Sequence, residues 1–450
     1  MRAALETLTR TFQGDIIEPG MPEYPAASST VLATGTPDVV LRPANVADVQ
    51  AAVRFASAGR LPLAVRGGGH SFPGFGTAAS GVVIDLAGLA DIEVLDTAYR
   101  LVRIGGGATW GAVAAALAPH RLAISSGDTR EVGVGGLTLS GGIGWQVRKY
   151  GLALDALVGA DVVLASGEMV YASQDENPDL FWALRGGGGN FGIVTAFYFA
   201  ARPTADLFHG RIAFPATELE PVLQGWAEYL RTAPIDLTSI IAFANPFAGG
   251  PNAPVEVFVA VDDDNADRAN AVLDPIRALG TVLADDVTLK PYPDVLVDAL
   301  IPPPGISILT RSAFAERASV PALLGVLAEI GSPGAGAGAP PAIVVRSVGG
   351  AVSQVPDDAT AYAHRRAELM FMTTSIGPAP VLEAARPALD AIWARLAPHS
   401  SGAYANFHSG TTDADVAEVY PEETYKRLAA AKRQYDPANL FAGNHNVKPL

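Results

Sequence analysis

Glycine is concentrated in four clusters, and this distribution constrains the fold more than any other feature of the sequence. The clusters lie at residues 67–76, 105–111, 133–144 and 186–192. Each adjoins a short apolar run that is typical of a buried strand, and the runs are 61–65, 82–84, 101–104, 161–165 and 193–199. A chain that leaves strands through glycine can bring its backbone N–H groups close to a ligand. We therefore expect residues 1 to about 205 to form one α+β unit organised around glycine loops.

Composition excludes several classes of protein. The chain has 450 residues, with 31 Lys+Arg against 46 Asp+Glu, a formal net charge of −15, 49% apolar residues and no cysteine. An acidic chain is repelled by phosphate, so we expect no nucleic-acid partner. The apolar content argues against disorder, and without cysteine neither disulfides nor thiolate-bound metals can form.

Targeting and metal signals are both missing from the sequence. The first 15 residues mix charge and polarity without an apolar core typical of a secretory signal, and no apolar run approaches the ~20 residues that span a bilayer. We therefore expect a cytoplasmic protein with no membrane partner. The seven histidines show no spacing such as H-E-x-x-H, so we expect no metal site.

Two helices and one loop are predicted with defined ends. Asn45, with Asp48 three residues later, predicts a helix start of the capping-box type. Asp436-Pro437 predicts the end of a C-terminal helix that begins near Glu423. The segment 332–341 is rich in Gly, Ala and Pro, and we expect an exposed loop there.

The first glycine cluster has the composition of an anion cradle. Arg66-Gly67-Gly68-Gly69-His70-Ser71 follows a strand-like run directly. Three successive residues without Cβ let backbone N–H groups converge on a diphosphate, and Ser71 adds a hydroxyl. The Gly-Lys-Ser/Thr ending of a Walker A loop is absent.

The last glycine cluster satisfies a dinucleotide fingerprint without its structural context. The segment 187–192 fits G-x-G-x-x-G, but β-branched and aromatic residues follow it. The fingerprint requires a helix whose N-terminus faces the pyrophosphate. We therefore reject a Rossmann site and expect this loop to pack against a sheet.

Seven motifs occur in the order of a known enzyme family. They are 66–71 (RGGGHS), 132–136 (VGVGG), 140–144 (SGGIG), 150–153 (YGLA), 177–182 (NPDLFW), 185–195 (RGGGGNFGIVT) and, at the C-terminal end, 435–441 (YDPANLF) with 444–446 (NHN). The sequence resembles the FAD-linked oxidases of the vanillyl-alcohol-oxidase superfamily, in the berberine-bridge-enzyme-like branch. The resemblance is strongest over residues 40–200 and 415–447.

The resemblance implies a fold, a domain organisation and a reaction. The fold would be α+β, a two-domain FAD-binding PCMH-type fold whose substrate domain is an antiparallel sheet backed by helices. Residues 1–205, with 407–450 returning to them, would bind FAD, and 206–406 would form the substrate domain. A small-molecule substrate would give a hydride to flavin N5, and O2 would reoxidise the flavin to yield hydrogen peroxide.

The resemblance also assigns residues to the cofactor. His70 would bond covalently to the C8 methyl of FAD. Thr129 stands where many members carry a cysteine bonded to C6, so a second link is excluded. The other implied cofactor contacts are Arg66, Gly67, Gly68, Gly69, Ser71, Val132, Gly133, Gly135, Gly136, Gly141, Gly142, Gly144, Asn190, Gly192, Ile193, Val194, Asn406 and Asn444.

The substrate side departs from the family pattern. Phe407 stands where relatives carry a tyrosine base, and Glu368 is the one ionisable residue on the neighbouring strand-like run 368–374. The implied catalytic residues are therefore Tyr404 and Asn406, while Val132 would admit O2 to the flavin. Without a strong base, a neutral amine whose lone pair assists hydride loss is favoured over an alcohol.

Three alternatives and the oligomeric state stay open at this point. The protein could be a dehydrogenase with another electron acceptor, an NADPH-dependent reductase on the same fold, or a non-catalytic flavin or small-molecule binder. It could be a monomer or a homodimer.

Overall fold

The computed structural model describes residues 2–333 and 340–450. Residues 334–339, within the segment predicted to be an exposed loop, lie outside the described part. Two sheets form the N-terminal part of the molecule, and a third, larger sheet follows them.

The first sheet has four short strands. Their spatial order is Asp15–Ile17, Val39–Arg42, Val82–Asp85 and Leu63–Arg66. The last three are parallel, and the first is antiparallel to its neighbour. Parallel strands are usually buried on both faces, which accounts for the continuous apolar runs.

The second sheet is antiparallel and has five strands. Their spatial order is Ile92–Asp96, Leu101–Gly105, Ile193–Ala200, Leu157–Val163 and Met169–Ser173. The strand after residue 192 confirms that the last glycine cluster leads into a sheet instead of a helix. A separate two-stranded ribbon pairs Leu122–Ala123 with Arg202–Pro203.

The third sheet is antiparallel and has eight strands. Their spatial order is Ala284–Asp285, Leu207–Phe214, Val255–Val261, Leu237–Phe243, Ala342–Ser347, Ala367–Pro378 and Ile306–Glu316, with Thr288–Lys290 also paired to the second of these. One face packs on the apolar sides of surrounding helices, and Ile241 and Val257 share a buried core with Trp226. The other face packs on the N-terminal part, where Ile240 and Trp145 belong to one buried cluster.

Thirteen α-helices surround these sheets in the described part of the chain. They are Arg2–Thr9, Tyr24–Ala27, Val46–Gly59, Trp110–Leu117, Val134–Ser140, Val147–Tyr150, Pro178–Leu184, Leu219–Leu230, Ala266–Arg277, Val320–Gly331, Ala379–Leu396, Asp413–Val419 and Glu422–Tyr435. Asn45 caps the third by accepting a hydrogen bond from the N–H of Asp48, as predicted. The Asp48 carboxylate does not complete a capping box, because it accepts from the N–H groups of Gln13, Gly14 and Ala44 instead. No helix in the described ranges is long and apolar enough to cross a membrane.

The C-terminal stretch returns to the N-terminal part of the molecule. Tyr420, Leu428 and Val447 are buried in the same core as Phe197 of the second sheet. The third sheet is therefore inserted between two stretches of chain that pack together, and this arrangement creates the space described next.

Candidate active site

A cavity of about 470 Å³ lies between the glycine loops and the third sheet. Cofactor and ligand sites typically enclose about 300–1,000 Å³. One side is lined by the glycine loops and the C-terminal stretch, through residues 66–71, 132–133, 135–137, 139–140, 188–189, 192–194 and 443–445. The opposite side is lined by the side chains Ile308, Met372, Thr374 and Ile376, together with Phe407.

Two glycine loops meet backbone to backbone at the cavity wall. A Cβ on Gly68 would lie 2.3 Å from the N atom of Gly133, and a Cβ on Gly133 would lie 2.2 Å from the N atom of Gly68. Such a separation is impossible for a real side chain, so each loop requires the glycine of the other. Gly69 adds a φ of +72°, which glycine adopts without strain.

Arg66 shapes the first glycine loop through bonds to the protein. Its guanidinium donates to the Asp85 carboxylate at 2.9 Å and to the Ser29 carbonyl at 2.8 Å. The side chain is nearly buried. Arg66 lines the cavity, and its charge is already balanced by Asp85.

His70 presents to the cavity a neutral ring with a nitrogen that lacks a hydrogen-bond partner among the described residues. Its Nε2 atom is buried and has no hydrogen-bond partner among the described residues. Burial lowers the pKa of His70 below its usual value, against the opposing charge of Glu131. A neutral imidazole with a free nitrogen is a competent nucleophile.

Tyr404, Asn406 and Phe407 occupy the cavity edge together. The Tyr404 hydroxyl accepts hydrogen bonds from the Gly142 N–H at 2.8 Å and from the Asn406 amide at 3.0 Å. Burial raises the pKa of Tyr404, although these hydrogen bonds oppose the shift. The hydroxyl therefore keeps its proton at neutral pH and can act as a donor but not as a base.

Glu368 is remote from this chemistry. It forms an ion pair with Arg231 at 3.0 Å and does not line the cavity. The one ionisable residue of the run 368–374 is thus paired away from the cavity.

Asp128 was not identified from the sequence as a functional residue. It lines the cavity, and its carboxylate accepts a hydrogen bond from Arg346 Nη2 at 2.6 Å and another from Thr129 Oγ1 at 3.1 Å. The Arg346 guanidinium lies 5.1 Å from the centre of the Phe407 ring. No local pattern signals this pair, because 218 positions separate its members.

Four residues expected at the cofactor lie behind the cavity wall. Gly141, Gly142 and Gly144 do not line the cavity. Gly141 makes room for the Tyr404 ring and Gly144 for the backbone of Ser126. Asn190 is buried, and its amide donates to the Gly187 and His445 carbonyls and accepts from the Val447 N–H. These residues support the wall but do not form its surface.

The remaining predicted residues are brought together at the cavity. The lining includes Gly67, Gly68, Gly69, Ser71, Thr129, Val132, Gly133, Gly135, Gly136, Gly192, Ile193, Val194, Asn406 and Asn444. It also includes His445, which packs edge-on against Phe75.

The lining fits a large flavin cofactor. The Asn444 Oδ1 atom is buried without a hydrogen-bond partner among the described residues, as is His70 Nε2. Amide groups suit the hydroxyls of a ribityl chain. A Cβ on Gly136 or Gly189 would meet nothing within 4 Å, so both face open space. FAD would be held by these groups and by the backbone of the glycine loops.

One acidic cluster lies near the C-terminal stretch. Ligand atoms of His408, Asp415 and Glu418 lie within 4.8 Å of one another. Asp415 already accepts hydrogen bonds from Thr412 and contacts His408 at 3.1 Å. These hydrogen bonds explain the cluster, because Asp415 takes part in capping the helix Asp413–Val419. The absence of a metal site stays a prediction.

Comparisons with known proteins agree with this geometry. A family model described as FAD binding domain matches residues 37–173, and one described as berberine and berberine like matches residues 403–448. The chain is 33% identical to (R)-6-hydroxynicotine oxidase from Paenarthrobacter nicotinovorans over 92% of its length and 91% of the relative. It is 31% identical to xylooligosaccharide oxidase from Thermothelomyces thermophilus, covering 92% of this chain and 88% of the relative.

Solved structures give the same result for the fold. The crystal structure of 6-hydroxy-D-nicotine oxidase from Arthrobacter nicotinovorans superposes with a TM-score of 0.85 at 29% identity. The match covers 98% of this chain and 99% of that one. The predicted α+β, PCMH-type architecture is therefore confirmed.

Proposed function

This chain belongs to the FAD-linked oxidases of the vanillyl-alcohol-oxidase superfamily, in their berberine-bridge-enzyme-like branch, and from that premise we propose that it oxidises a small molecule at a C–H bond next to nitrogen or oxygen. It is an FAD-dependent oxidoreductase. Bound FAD would supply a hydride acceptor at N5 and, through its reoxidation by O2, release hydrogen peroxide.

The observation that carries this proposal is the state of His70. Its ring lies in the cavity wall, is held neutral by burial and has a free buried nitrogen. These properties support a single covalent bond from His70 to the C8 methyl of FAD. Thr129 supplies no thiol, so the link would be monocovalent.

The other lining residues have roles that follow from their chemistry. Val132 is small, which favours access of O2 to the flavin. The protonated hydroxyl of Tyr404, oriented by Asn406, can donate a hydrogen bond to substrate. Neither residue removes a proton, which favours a neutral amine over an alcohol. Residues 1–205 with 407–450 would hold the cofactor, and 206–406 the substrate.

An intact mass under denaturing conditions tests the covalent link. We expect the mass of the chain plus one FAD, and the mass of the chain alone for His70→Ala. His120→Ala, at an exposed histidine, is the matched control and should keep the increment. A yellow wild-type preparation with the mass of the bare chain would overturn the covalent link.

Oxygen consumption and peroxide release test the oxidase reaction. 6-Hydroxynicotine and a xylooligosaccharide, the compounds in the names of two relatives, are the first to screen. Peroxide formed in proportion to oxygen consumed supports an oxidase. Reduction of the flavin by substrate without oxygen uptake would instead identify a dehydrogenase.

A further inference from the structure

Among the described residues, Asp128 is the one carboxylate that lines the cavity. Its side chain is 27% exposed, whereas that of Arg346, its ion-pair partner, is 11% exposed. Asp128 is a lining residue and Arg346 is not. The negative member of the pair therefore faces the cavity, and the positive member lies behind it.

The Asp128 carboxylate is held ionised and in a fixed orientation. Burial alone would raise its pKa, but the charge of Arg346 and hydrogen bonds from Arg346 and Thr129 outweigh this and lower it. The two donors approach different oxygens, Oδ2 and Oδ1. Each oxygen still has lone-pair capacity for a further donor, since an ionised carboxylate offers about four acceptor sites.

The surface around this charge is apolar and aromatic. Phe72 and Phe407 pack edge to face, with ring centroids 6.1 Å apart, and both line the cavity. Ile308, Met372 and Ile376 continue the wall, and Leu300 extends it outward with 70% of its surface exposed. Aromatic faces attract cations, and a low-polarity wall strengthens the attraction of a cation to the Asp128 carboxylate.

We propose that Asp128 is the residue of this site that recognises the nitrogen of the substrate, and that the substrate class is an apolar amine. This inference rests on the proposed function and deepens it. The nitrogen would lie against the carboxylate, while the hydrocarbon part would cover the wall from Ile308 to Leu300. A sugar fits this surface poorly, because its hydroxyls would be buried there without partners.

The same charge acts during the chemical step. In the proposed reaction the C–H bond next to nitrogen would break, and bound FAD would supply the acceptor for the hydrogen and its two bonding electrons. The nitrogen lone pair forms a C=N bond, so the organic product is an iminium cation. A fixed carboxylate binds this cation more strongly than the neutral amine, and interactions that strengthen along the reaction increase its rate.

Two probes of equal shape and different charge test the inference. They are benzyltrimethylammonium and its uncharged carbon isostere neopentylbenzene, measured at pH 8 with the FAD-loaded protein. Binding is followed by calorimetry and by the change in the visible spectrum of the flavin. We expect the wild type to bind the cation at least roughly tenfold more tightly than the isostere, a difference of about 1.4 kcal/mol.

Three substitutions separate recognition from a structural ion pair. Asp128→Asn keeps the shape of the side chain and should weaken cation binding roughly tenfold or more, with little change for the isostere. Arg346→Gln removes the opposing charge and should leave cation binding unchanged or tighter. Asp128→Glu should restore the preference for the cation in part.

Each outcome of these binding measurements either supports or overturns the role proposed for Asp128. Equal binding of both probes by the wild type, or equal losses in Asp128→Asn and Arg346→Gln, would overturn the inference and leave the pair a structural link. The wild-type comparison stands even if a variant does not fold. Failure of the FAD-loaded wild type to distinguish the two probes contradicts the role of Asp128 alone. A protein that binds no FAD contradicts the proposed function, and calorimetry with both probes still decides the role of Asp128.

Discussion

Tyr404 joins two separate stretches of the cavity wall through a single hydroxyl group. Its oxygen accepts the Gly142 N–H at 2.8 Å and the Asn406 amide at 3.0 Å, and its ring is buried. Without the hydroxyl, the Gly142 N–H would stay buried and unpaired.

Tyr404→Phe should therefore reduce stability. A buried donor left without a partner costs about 1–3 kcal/mol in the free energy of unfolding, which urea denaturation can measure. Tyr425→Phe is the matched control, because its hydroxyl accepts a bond from the exposed Lys448 N–H. The control should change stability by less than about 0.5 kcal/mol. Equal effects in the two variants would contradict the structural role of the Tyr404 hydroxyl.

At the scale of elements, the glycine loops close on each other where no side chain can fit. Gly68→Ala would place a Cβ 2.3 Å from the N atom of Gly133 and 2.7 Å from the carbonyl oxygen of Glu131. Both neighbours are backbone, so the loops must separate. We expect the purified variant to lose most of its flavin, measured as the ratio of absorbance at 450 nm to that at 280 nm.

A helix glycine provides the control for that substitution. A Cβ on Gly325, within Val320–Gly331, would meet nothing within 4 Å. Gly325→Ala should keep full flavin content and raise helix stability by up to about 1 kcal/mol. Retention of flavin by Gly68→Ala would show that the loops tolerate separation.

The C-terminal helix is fixed to the last glycine loop by a buried lysine. Lys432 Nζ pairs with Asp436 at 2.7 Å and donates to the Asn190 carbonyl at 2.7 Å and the Phe441 carbonyl at 3.0 Å. The side chains of both ion-pair members are completely buried. Removing one member of such a pair leaves an uncompensated buried charge.

Lys432→Met should lower the free energy of unfolding by about 3–5 kcal/mol. Lys426→Met, on the same helix, is the matched control, because the Lys426 side chain is 55% exposed and pairs with exposed glutamates. We expect less than about 1 kcal/mol for the control. Chemical denaturation monitored by tryptophan fluorescence measures both, and a small effect at Lys432 would mean that Asp436 is satisfied by backbone donors alone.

For the whole molecule, buried histidines set the response to acid. Burial lowers the pKa values of His209 and His445 from 6.5 to about 4. Between pH 4 and 6.5 the unfolded chain binds protons that the folded chain does not. Stability is therefore complete above pH 6.5 and is lost as the pH falls toward 4, by up to about 1.4 kcal/mol per pH unit for each histidine.

His209→Phe tests this pH dependence. His209 packs edge-on against Trp145 with ring centroids 4.7 Å apart, a contact that phenylalanine can retain. From pH 6.5 to 4, the free energy of unfolding of the variant should fall less steeply than that of the wild type. The difference between the two proteins at pH 8 serves as the baseline for this comparison. Parallel curves would show that His209 takes up its proton at the same pH in the folded and the unfolded states.

The sequence predicted local features well and remote pairings poorly. The strands beside the glycine clusters, the Asn45 cap and the sheet after residue 192 follow from patterns a few residues long. Asp128 and Arg346 meet across 218 positions, so no local pattern could reveal them. Asn190 was expected to contact the cofactor because of its motif. Its amide instead forms hydrogen bonds with the backbone of His445 and Val447 in the C-terminal stretch.

That return of the C-terminal stretch has a consequence for how the protein is made. Asn190 finds its partners Lys432 and Val447 at separations of 242 and 257 positions along the chain. A ribosome adds about 5–20 residues per second, so on the order of tens of seconds pass before the loop at 187–192 can be completed. During this interval the nascent chain exposes an unfinished apolar core, which makes the protein a candidate client of co-translational chaperones. Flavin can be captured stably only after the final turns of the chain have left the exit tunnel.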